Sequence, residues 1–151
     1  ISSANIMYSH LNKTWKLIDY GQSMPLEESS NTSRIAGTRN FIAPESVETG
    51  IFTPQSDIYA LGKVCMEFFC CMLAEFYLSS SHTVCRSVSK LNGCFAQMSD
   101  EDPAHRSSLV EVMKVAFDVL QLLADHDLRK SKNQVIIAVR QIIEETHGKM
   151  N

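Results

Sequence analysis

The chain has 151 residues, of which 44% are hydrophobic and 21% charged, and its formal net charge is −3. This length fits one domain with a substantial apolar core, and the composition is that of an ordinary globular protein. A pI near 5.9 gives no basic footprint for nucleic acid or acidic membranes, so we expect neither as a partner.

The cysteine pattern argues against a disulfide framework. The chain has an odd number of cysteines and no CxxC pair, the five being Cys65, Cys70, Cys71, Cys85 and Cys94. A domain of this size folds without disulfides, so we expect reduced thiols and an intracellular protein. The chain begins at Ile1 without a signal peptide, and we expect it to be a fragment of a longer protein.

Two short apolar runs near the start predict a β-hairpin. Ile6–Tyr8 and Trp15–Ile18 have strand character, and a polar turn joins them. Such a hairpin places Asn5 and Asp19 at neighbouring strand ends. Taken singly, Asn5 is equally a capping residue, and Asp19 is equally a turn residue before Gly21. Together, an amide oxygen and a carboxylate are the kind of ligands that Mg²⁺ takes.

A polar, serine-rich loop follows from residue 22 to residue 34. One interpretation is a solvated loop; the other is a loop whose hydroxyls accept phosphate, which adds about −1.5 to −2 charge. The hydroxyls nearest the anchored end, those of Thr32 and Ser33, are the best phosphorylation candidates. The loop runs into a second turn, Ala43-Pro44-Glu45.

The rest of the chain predicts helices. Pro54 suits the first turn of a helix that reaches residue 78, and its nearly continuous apolar surface indicates burial in the core. Glu67 and Glu75 interrupt the run, so we expect no membrane span. Residues 79–106 carry loop signals at Ser79–Ser81 and Asp100–Pro103, and they yield no further element.

Two amphipathic helices are predicted after that region. The first spans Leu109 to Leu123 with an apolar face of Val110, Met113, Phe117 and Leu120. The second runs from about Gln134 to Glu145.

The two turns together resemble the activation segment of eukaryotic protein kinases, which runs from Asp-Phe-Gly to Ala-Pro-Glu. Here the first motif is Asp19-Tyr20-Gly21 and the second is Ala43-Pro44-Glu45. Ile1–Asn5 resembles the end of the catalytic loop His-Arg-Asp-Leu-x-x-x-Asn, with Asn5 at the final position. The catalytic Asp is then expected just before Ile1, so the fragment itself contains no catalytic residue.

The resemblance implies a fold and a domain layout. The fold is mainly α with a small β-hairpin: the C-terminal lobe of the protein-kinase-like (α+β) fold, with the N-terminal lobe absent. Residues 1–151 form a partial kinase domain that contains the catalytic-loop end, the activation segment 19–45 and the helical lobe 53–145.

The resemblance also implies roles for single residues. Asn5 and Asp19 bind Mg²⁺, and four residues, Gly21, Thr38, Pro44 and Glu45, shape the activation segment and dock the substrate. Thr38 favours the Ser/Thr-specific branch of the family.

Two further residues are implied as structural anchors. Residues 55–62 resemble Asp-x-Trp-Ser-x-Gly, in which Asp57 holds the catalytic loop. Residues 122–129 resemble a stretch in which Arg follows an Asp by four positions, which makes Arg129 the predicted partner of Glu45. His126 stands there in place of the usual Pro.

The implied activity of the intact parent is transfer of the ATP γ-phosphoryl group to a protein Ser or Thr hydroxyl, with ATP and Mg²⁺ as cofactors. Ser2 stands where Ser/Thr kinases have a Lys, which removes electrostatic stabilisation of the transferring phosphate. A pseudokinase that acts as a binding or scaffolding module is therefore the alternative. An unrelated helical interaction domain is the third hypothesis.

Overall fold

The computed structural model describes residues 1–25, 37–79 and 82–125. It contains one antiparallel hairpin, β1 (Ile6–Ser9) and β2 (Thr14–Leu17), followed by the helices α1 (Pro44–Thr49), α2 (Pro54–Ser79), α3 (His82–Met98) and α4 (Leu109–Asp125). The predicted mainly helical fold with one small hairpin is confirmed. The last predicted helix, 134–145, lies outside the described residues.

The hairpin forms in the register that the sequence indicates. Ile6 pairs with Leu17, and Tyr8 pairs with Trp15. The Trp15 ring contacts the Tyr8 ring at 5.3 Å and the Phe68 ring of α2 at 6.2 Å between centroids. These aromatic contacts fix the hairpin against the central helix, since ring pairs at such separations are attractive beyond their burial.

The hydrophobic core lies where α3 packs against α2 on one side and against α4 on the other. Its buried residues are Phe69, Val88, Leu91, Phe95, Met98, Val112, Ala116 and Val119. The rings of Phe69 and Phe95 meet edge to face at 5.4 Å, which links α2 to α3 at the centre of this core.

Helix α3 is an element that the sequence did not predict. Its core residues Val88, Leu91, Phe95 and Met98 lie on one helical face, at the three- and four-residue spacing of an amphipathic helix. The helix also contains Ser, Asn and Gly residues on its other faces, and these obscured the apolar period.

The helix α4 itself is confirmed, but its predicted apolar face is only partly buried, with Leu120 packed against the core. Val110 is 65% exposed and Phe117 is 42% exposed, whereas Val112, Ala116 and Val119 are buried. Helix α4 is apolar on most sides, so its sequence supports two overlapping faces. Packing against α3 selects the face that carries the smaller side chains.

Helices α2 and α3 approach each other closely at Gly62. A Cβ atom at this position would lie 2.5 Å from Ser99 Oγ, 2.7 Å from Met98 Cβ and 3.0 Å from the Phe95 carbonyl oxygen. Any side chain at this position would clash with the Phe95 backbone and with the buried Met98, so the close packing of α2 on α3 requires glycine here.

We expect Gly62→Ala to lower the free energy of unfolding by about 1–3 kcal/mol, because the added methyl group overpacks the crossing of α2 and α3. Urea denaturation monitored by circular dichroism measures the change. Gly93→Ala is the matched control, since a Cβ at Gly93 meets nothing within 4 Å. Gly93 lies within α3, so Gly93→Ala should raise the free energy of unfolding by about 1 kcal/mol because Ala has the higher helix propensity. Equal effects of the two substitutions would contradict the close approach.

Candidate functional site

A cleft of about 560 Å³ lies between the hairpin, the segment 37–43 and the start of α2. Asn5 and Asp19 both line it, as do Ser2, Thr38 and Asp57. The cleft thus brings together residues from the beginning of the chain, from the activation segment and from the central helix.

The hairpin positions the two predicted metal ligands. Asn5 ends a short 3-10 turn at Ser3–Asn5, and its carbonyl oxygen accepts a 2.8 Å hydrogen bond from the Ile18 amide. This bond extends the ladder by one pair beyond Ile6–Leu17, so Asp19 follows directly after the residue that faces Asn5. Asn5 and Asp19 therefore leave adjacent strand ends toward the same cleft.

The backbone at Asp19 has an uncommon conformation. Its φ angle is +61°, in the left-handed region that residues other than glycine adopt at a cost of about 1–2 kcal/mol. The Asp19 Oδ1 atom accepts a 3.2 Å hydrogen bond from the Gly21 amide, which closes an Asx turn. A Cβ at Gly21 would lie 3.2 Å from that oxygen, so a side chain at Gly21 would crowd the carboxylate.

Ser2 and Asp57 are two further polar residues of the cleft lining. Ser2 is 3% exposed, and its Oγ atom has no hydrogen-bond partner within the described part of the chain. Asp57 lies in the first turn of α2, and its exposed side chain faces the cleft that Ser2 also lines. The lining residues include two carboxylates, Asp19 and Asp57, but no Lys or Arg.

The activation segment rejoins the helices through α1. Pro44 occupies the first turn of this helix, and Glu45 follows it. Gly50 ends the helix with a left-handed φ of +69°, and its amide donates a 3.0 Å hydrogen bond to the Ser46 carbonyl.

Glu45 forms a bidentate ion pair with Arg106. The Arg106 Nη1 and Nη2 atoms donate to Glu45 Oε1 and Oε2, each at 2.7 Å, and the Arg106 side chain is fully buried. Arg106 also donates to the carbonyl oxygens of Gln55 at 2.8 Å, Asp100 at 2.9 Å and Glu101 at 3.4 Å. Its guanidinium lies 5.0 Å from the centre of the Tyr59 ring.

This geometry corrects the predicted partner of Glu45. The prediction named Arg129, which lies outside the described residues, whereas both Glu45 oxygens are bound by Arg106. The sequence contained the signal: Asp102 is followed at once by Pro103 and four positions later by Arg106. The stretch from Asp102 to Arg106 has the Pro that the stretch ending at Arg129 lacks, but it lies in a region that was interpreted as a loop.

Two buried hydroxyl groups extend the ion pair. Ser56 Oγ donates to Glu45 Oε1 at 3.3 Å and lies 2.8 Å from Ser46 Oγ. Ser56 also caps α2 reciprocally with Thr53: each backbone amide donates to the other residue's hydroxyl oxygen, at 3.1 and 3.3 Å. Sequence reasoning did not identify Ser46 or Ser56.

The remaining predicted site residues have simpler outcomes. Thr38 lines the cleft and accepts the Phe41 amide at its carbonyl oxygen, at 2.9 Å. Thr32 and Ser33 lie outside the described residues. Within residues 1–25, 37–79 and 82–125, no group of three or more His, Cys, Asp and Glu side chains forms a metal cluster. Across the same residues, no helix has the length and apolarity needed to cross a membrane.

The ion pair with Arg106 gives the Glu45 carboxyl an unusual pKa. Hydrogen bonds from Arg106 hold the pKa below its ordinary value of 4.5, and they outweigh burial, which raises it. A carboxyl whose pKa is lower in the folded state stabilises the protein above the unfolded-state pKa. That stabilisation is lost as the pH falls through the folded-state pKa.

We therefore expect Glu45→Gln to lower the free energy of unfolding by about 1.5–3 kcal/mol at pH 7, since it removes a charged hydrogen-bond partner from a buried guanidinium. The difference from the unsubstituted protein should shrink as the pH falls from about 4.5 through the lower folded-state pKa, because below that pKa both proteins lack the carboxylate. Urea titrations between pH 3 and pH 7 measure this. Glu48→Gln, at an exposed position of the same helix, is the control and should leave the pH profile unchanged. A difference independent of pH would contradict the ion pair.

Comparisons with known proteins agree with this geometry. The sequence profile of the protein kinase domain matches residues 1–142. The chain is 30% identical to the serine/threonine-protein kinase CDG1 of Arabidopsis thaliana over 97% of its own length and 37% of that protein. It is 30% identical to wall-associated receptor kinase 3 of the same plant, over 77% of its length and 16% of that protein.

A third relative, wall-associated receptor kinase 5 of Arabidopsis thaliana, is 32% identical over 60% of the chain and 13% of the relative. The chain thus spans well under half the length of these curated relatives. No solved structure matches it significantly. The profile match covers nearly the whole chain. The cleft between the hairpin and the segment that ends in Ala43-Pro44-Glu45, and the ion pair of Glu45 with the buried Arg106, agree with it. The chain therefore belongs to the protein kinase domain family.

Proposed function

We propose that the intact parent of this chain transfers the γ-phosphoryl group of ATP to Ser or Thr hydroxyls of a protein substrate. The observation that carries the proposal is that the hairpin directs Asn5 and Asp19 from adjacent strand ends into one cleft. Thr38, from the segment that docks substrate in this family, lines the same cleft.

The donor chemistry of the cleft fits Mg²⁺. Asn5 offers an amide oxygen and Asp19 a carboxylate, and a hard cation with few protein ligands accepts both. The backbone carbonyl of Asn5 accepts a hydrogen bond from the Ile18 amide, which leaves the Asn5 side chain as the available ligand. The Gly21 amide donates to the Asp19 carboxylate and so orients it. When bound, Mg²⁺ would neutralise the negative charge that develops on the leaving oxygen during phosphoryl transfer.

The proposed turnover belongs to the parent and not to the 151 residues alone. The family holds ATP with a glycine-rich loop and a strand Lys, neither of which has a match in this sequence. The catalytic Asp is expected outside it as well. An intracellular location, where ATP is available, stays a prediction.

A pseudokinase is the second candidate, and the charge of the cleft favours it. Among the residues that the structure describes, the cleft lining contains Asp19 and Asp57 and no basic side chain. Ser2, at the position where the family has a Lys, is buried and contributes only a hydroxyl. A site without a cation lacks the electrostatic stabilisation that phosphoryl transfer needs, unless another segment supplies it.

We expect Asp19→Asn to weaken Mn²⁺ binding by about tenfold or more, equivalent to ~1.4 kcal/mol, because it replaces the charged ligand with a neutral one. Mn²⁺ replaces Mg²⁺ as a paramagnetic probe, and line broadening of backbone amides near Asn5 reports where it binds. Asp118→Asn, at an exposed position of α4, is the control and should leave the affinity unchanged. Broadening that avoids Asn5 and Asp19 would contradict the metal site.

Replacement of Ser2 by Lys distinguishes the two candidate functions. We expect the unmodified parent to transfer phosphate slowly, and Ser2→Lys to raise the rate by about 10²–10³-fold, the range typical of one electrostatic donor in an active site. Transfer of labelled γ-phosphate to a protein acceptor measures the rate, and thermal unfolding checks that the buried substitution folds. No transfer by either protein, when both are folded, would favour the pseudokinase.

A further inference from the structure

The side chain that follows Asp19 forms a hydrogen bond that a phenylalanine would lack. Tyr20 stands where the family has Phe, and its hydroxyl donates to the Leu17 carbonyl oxygen at 2.9 Å. The side chain therefore reaches back to the last residue of β2. The Tyr20 residue is 63% exposed, so burial of the ring does not explain why it lies there.

Three hydrogen bonds hold the backbone around Asp19. Besides the Tyr20 bond, the Gly21 amide donates to Asp19 Oδ1 at 3.2 Å, and the Ser23 amide donates to the Tyr20 carbonyl at 2.9 Å. The Gly21 and Ser23 bonds join residues within the turn, whereas the Tyr20 hydroxyl alone among them ties the turn to the β2 strand. Asp19, with its φ of +61°, lies between the two ends of that bond.

The acceptor of the bond belongs to the same hairpin that carries Asn5. Leu17 is the last residue of β2, and its partner Ile6 directly follows Asn5. The hydrogen bond to the Leu17 carbonyl therefore attaches the Asp19 turn to the strand pair that also carries Asn5, the second predicted metal ligand. The direction in which Asp19 leaves the strand is then set relative to Asn5.

We propose that the Tyr20 hydroxyl is a positioning group that holds Asp19 in its left-handed conformation and so aims its carboxylate at the cation site shared with Asn5. This inference rests on the proposed function, because it concerns the same divalent-cation site. Groups that orient a metal ligand commonly change metal affinity by 10–100-fold when they are removed. Tyr20→Phe removes the hydroxyl and keeps the ring.

The test compares the full 151-residue chain with Tyr20→Phe and with Tyr8→Phe. Tyr8 is the matched control: it lies in the same hairpin, and its ring contacts are with His10 and Trp15. The first readout needs no metal. It is the strong intraresidue NOE between the amide proton and Hα of Asp19, which marks a positive φ. The second readout is the Kd for Mn²⁺ alone, followed by amide line broadening.

We expect Tyr20→Phe to weaken the Asp19 NOE and to raise the Kd for Mn²⁺ by about tenfold. Tyr8→Phe should change neither quantity. An unchanged NOE with Tyr20→Phe would overturn the inference, and so would a weakened NOE with an unchanged Kd. If the unsubstituted chain binds no Mn²⁺ near Asn5 and Asp19, the proposed function fails. A normal NOE in Tyr20→Phe would then show that the hydroxyl does not hold the turn either.

Discussion

The structure depends on a buried guanidinium. Arg106 has five N–H donors, and burial of its charge is tolerable only because these donors find acceptors. Glu45 accepts two of these hydrogen bonds, and the carbonyl oxygens of Gln55, Asp100 and Glu101 take part as well. The acceptors come from α1, from the first turn of α2 and from the connection between α3 and α4. One side chain therefore joins segments that are far apart in sequence.

This junction fixes one wall of the cleft. Thr38 and Ala43 line the cleft and lead directly into α1, where Glu45 is clamped and Ser46 is buried against Ser56 of α2. The opposite wall is the hairpin, which the Trp15 ring holds against Phe68 of the same helix. Helix α2 is thus the common support, and Asn5, Asp19 and Thr38 reach one cleft because both walls are attached to it.

The charges of the cleft decide how its chemistry is interpreted. Asn5 and Asp19 are suited to a divalent cation, and the left-handed backbone at Asp19 marks the kind of strained position that functional sites retain. The missing cation at Ser2 weighs against rapid phosphoryl transfer. Membership of the kinase family and the pair Asn5 and Asp19 are thus compatible with either an enzyme or a binding module. The rate of phosphoryl transfer by the intact parent distinguishes the two.

Local sequence patterns were sufficient for the hairpin, for α2 and for the extent of α4, because strand alternation, a first-turn Pro and a long apolar period are local features. They failed where tertiary packing chooses between alternatives. The face of α4 is set by α3, and no local feature distinguishes Val110 from Val112. The partner of Glu45 lies 61 residues away in sequence, so no local pattern around Glu45 identifies it. The prediction took the Asp-to-Arg stretch that ends at Arg129, whereas the stretch that contains Arg106 and keeps the Pro lay in a region interpreted as loop.

The Glu45–Arg106 ion pair holds the activation segment on the helices, and we expect the two side chains to be energetically coupled. A double-mutant cycle with Glu45→Gln and Arg106→Leu, measured by urea unfolding at pH 7, tests it most directly. The account predicts that the two substitutions are strongly non-additive, with a coupling energy of about 1.5–3 kcal/mol, at the upper end of the range for residues in contact. Additive effects, with a coupling energy near zero, would contradict it.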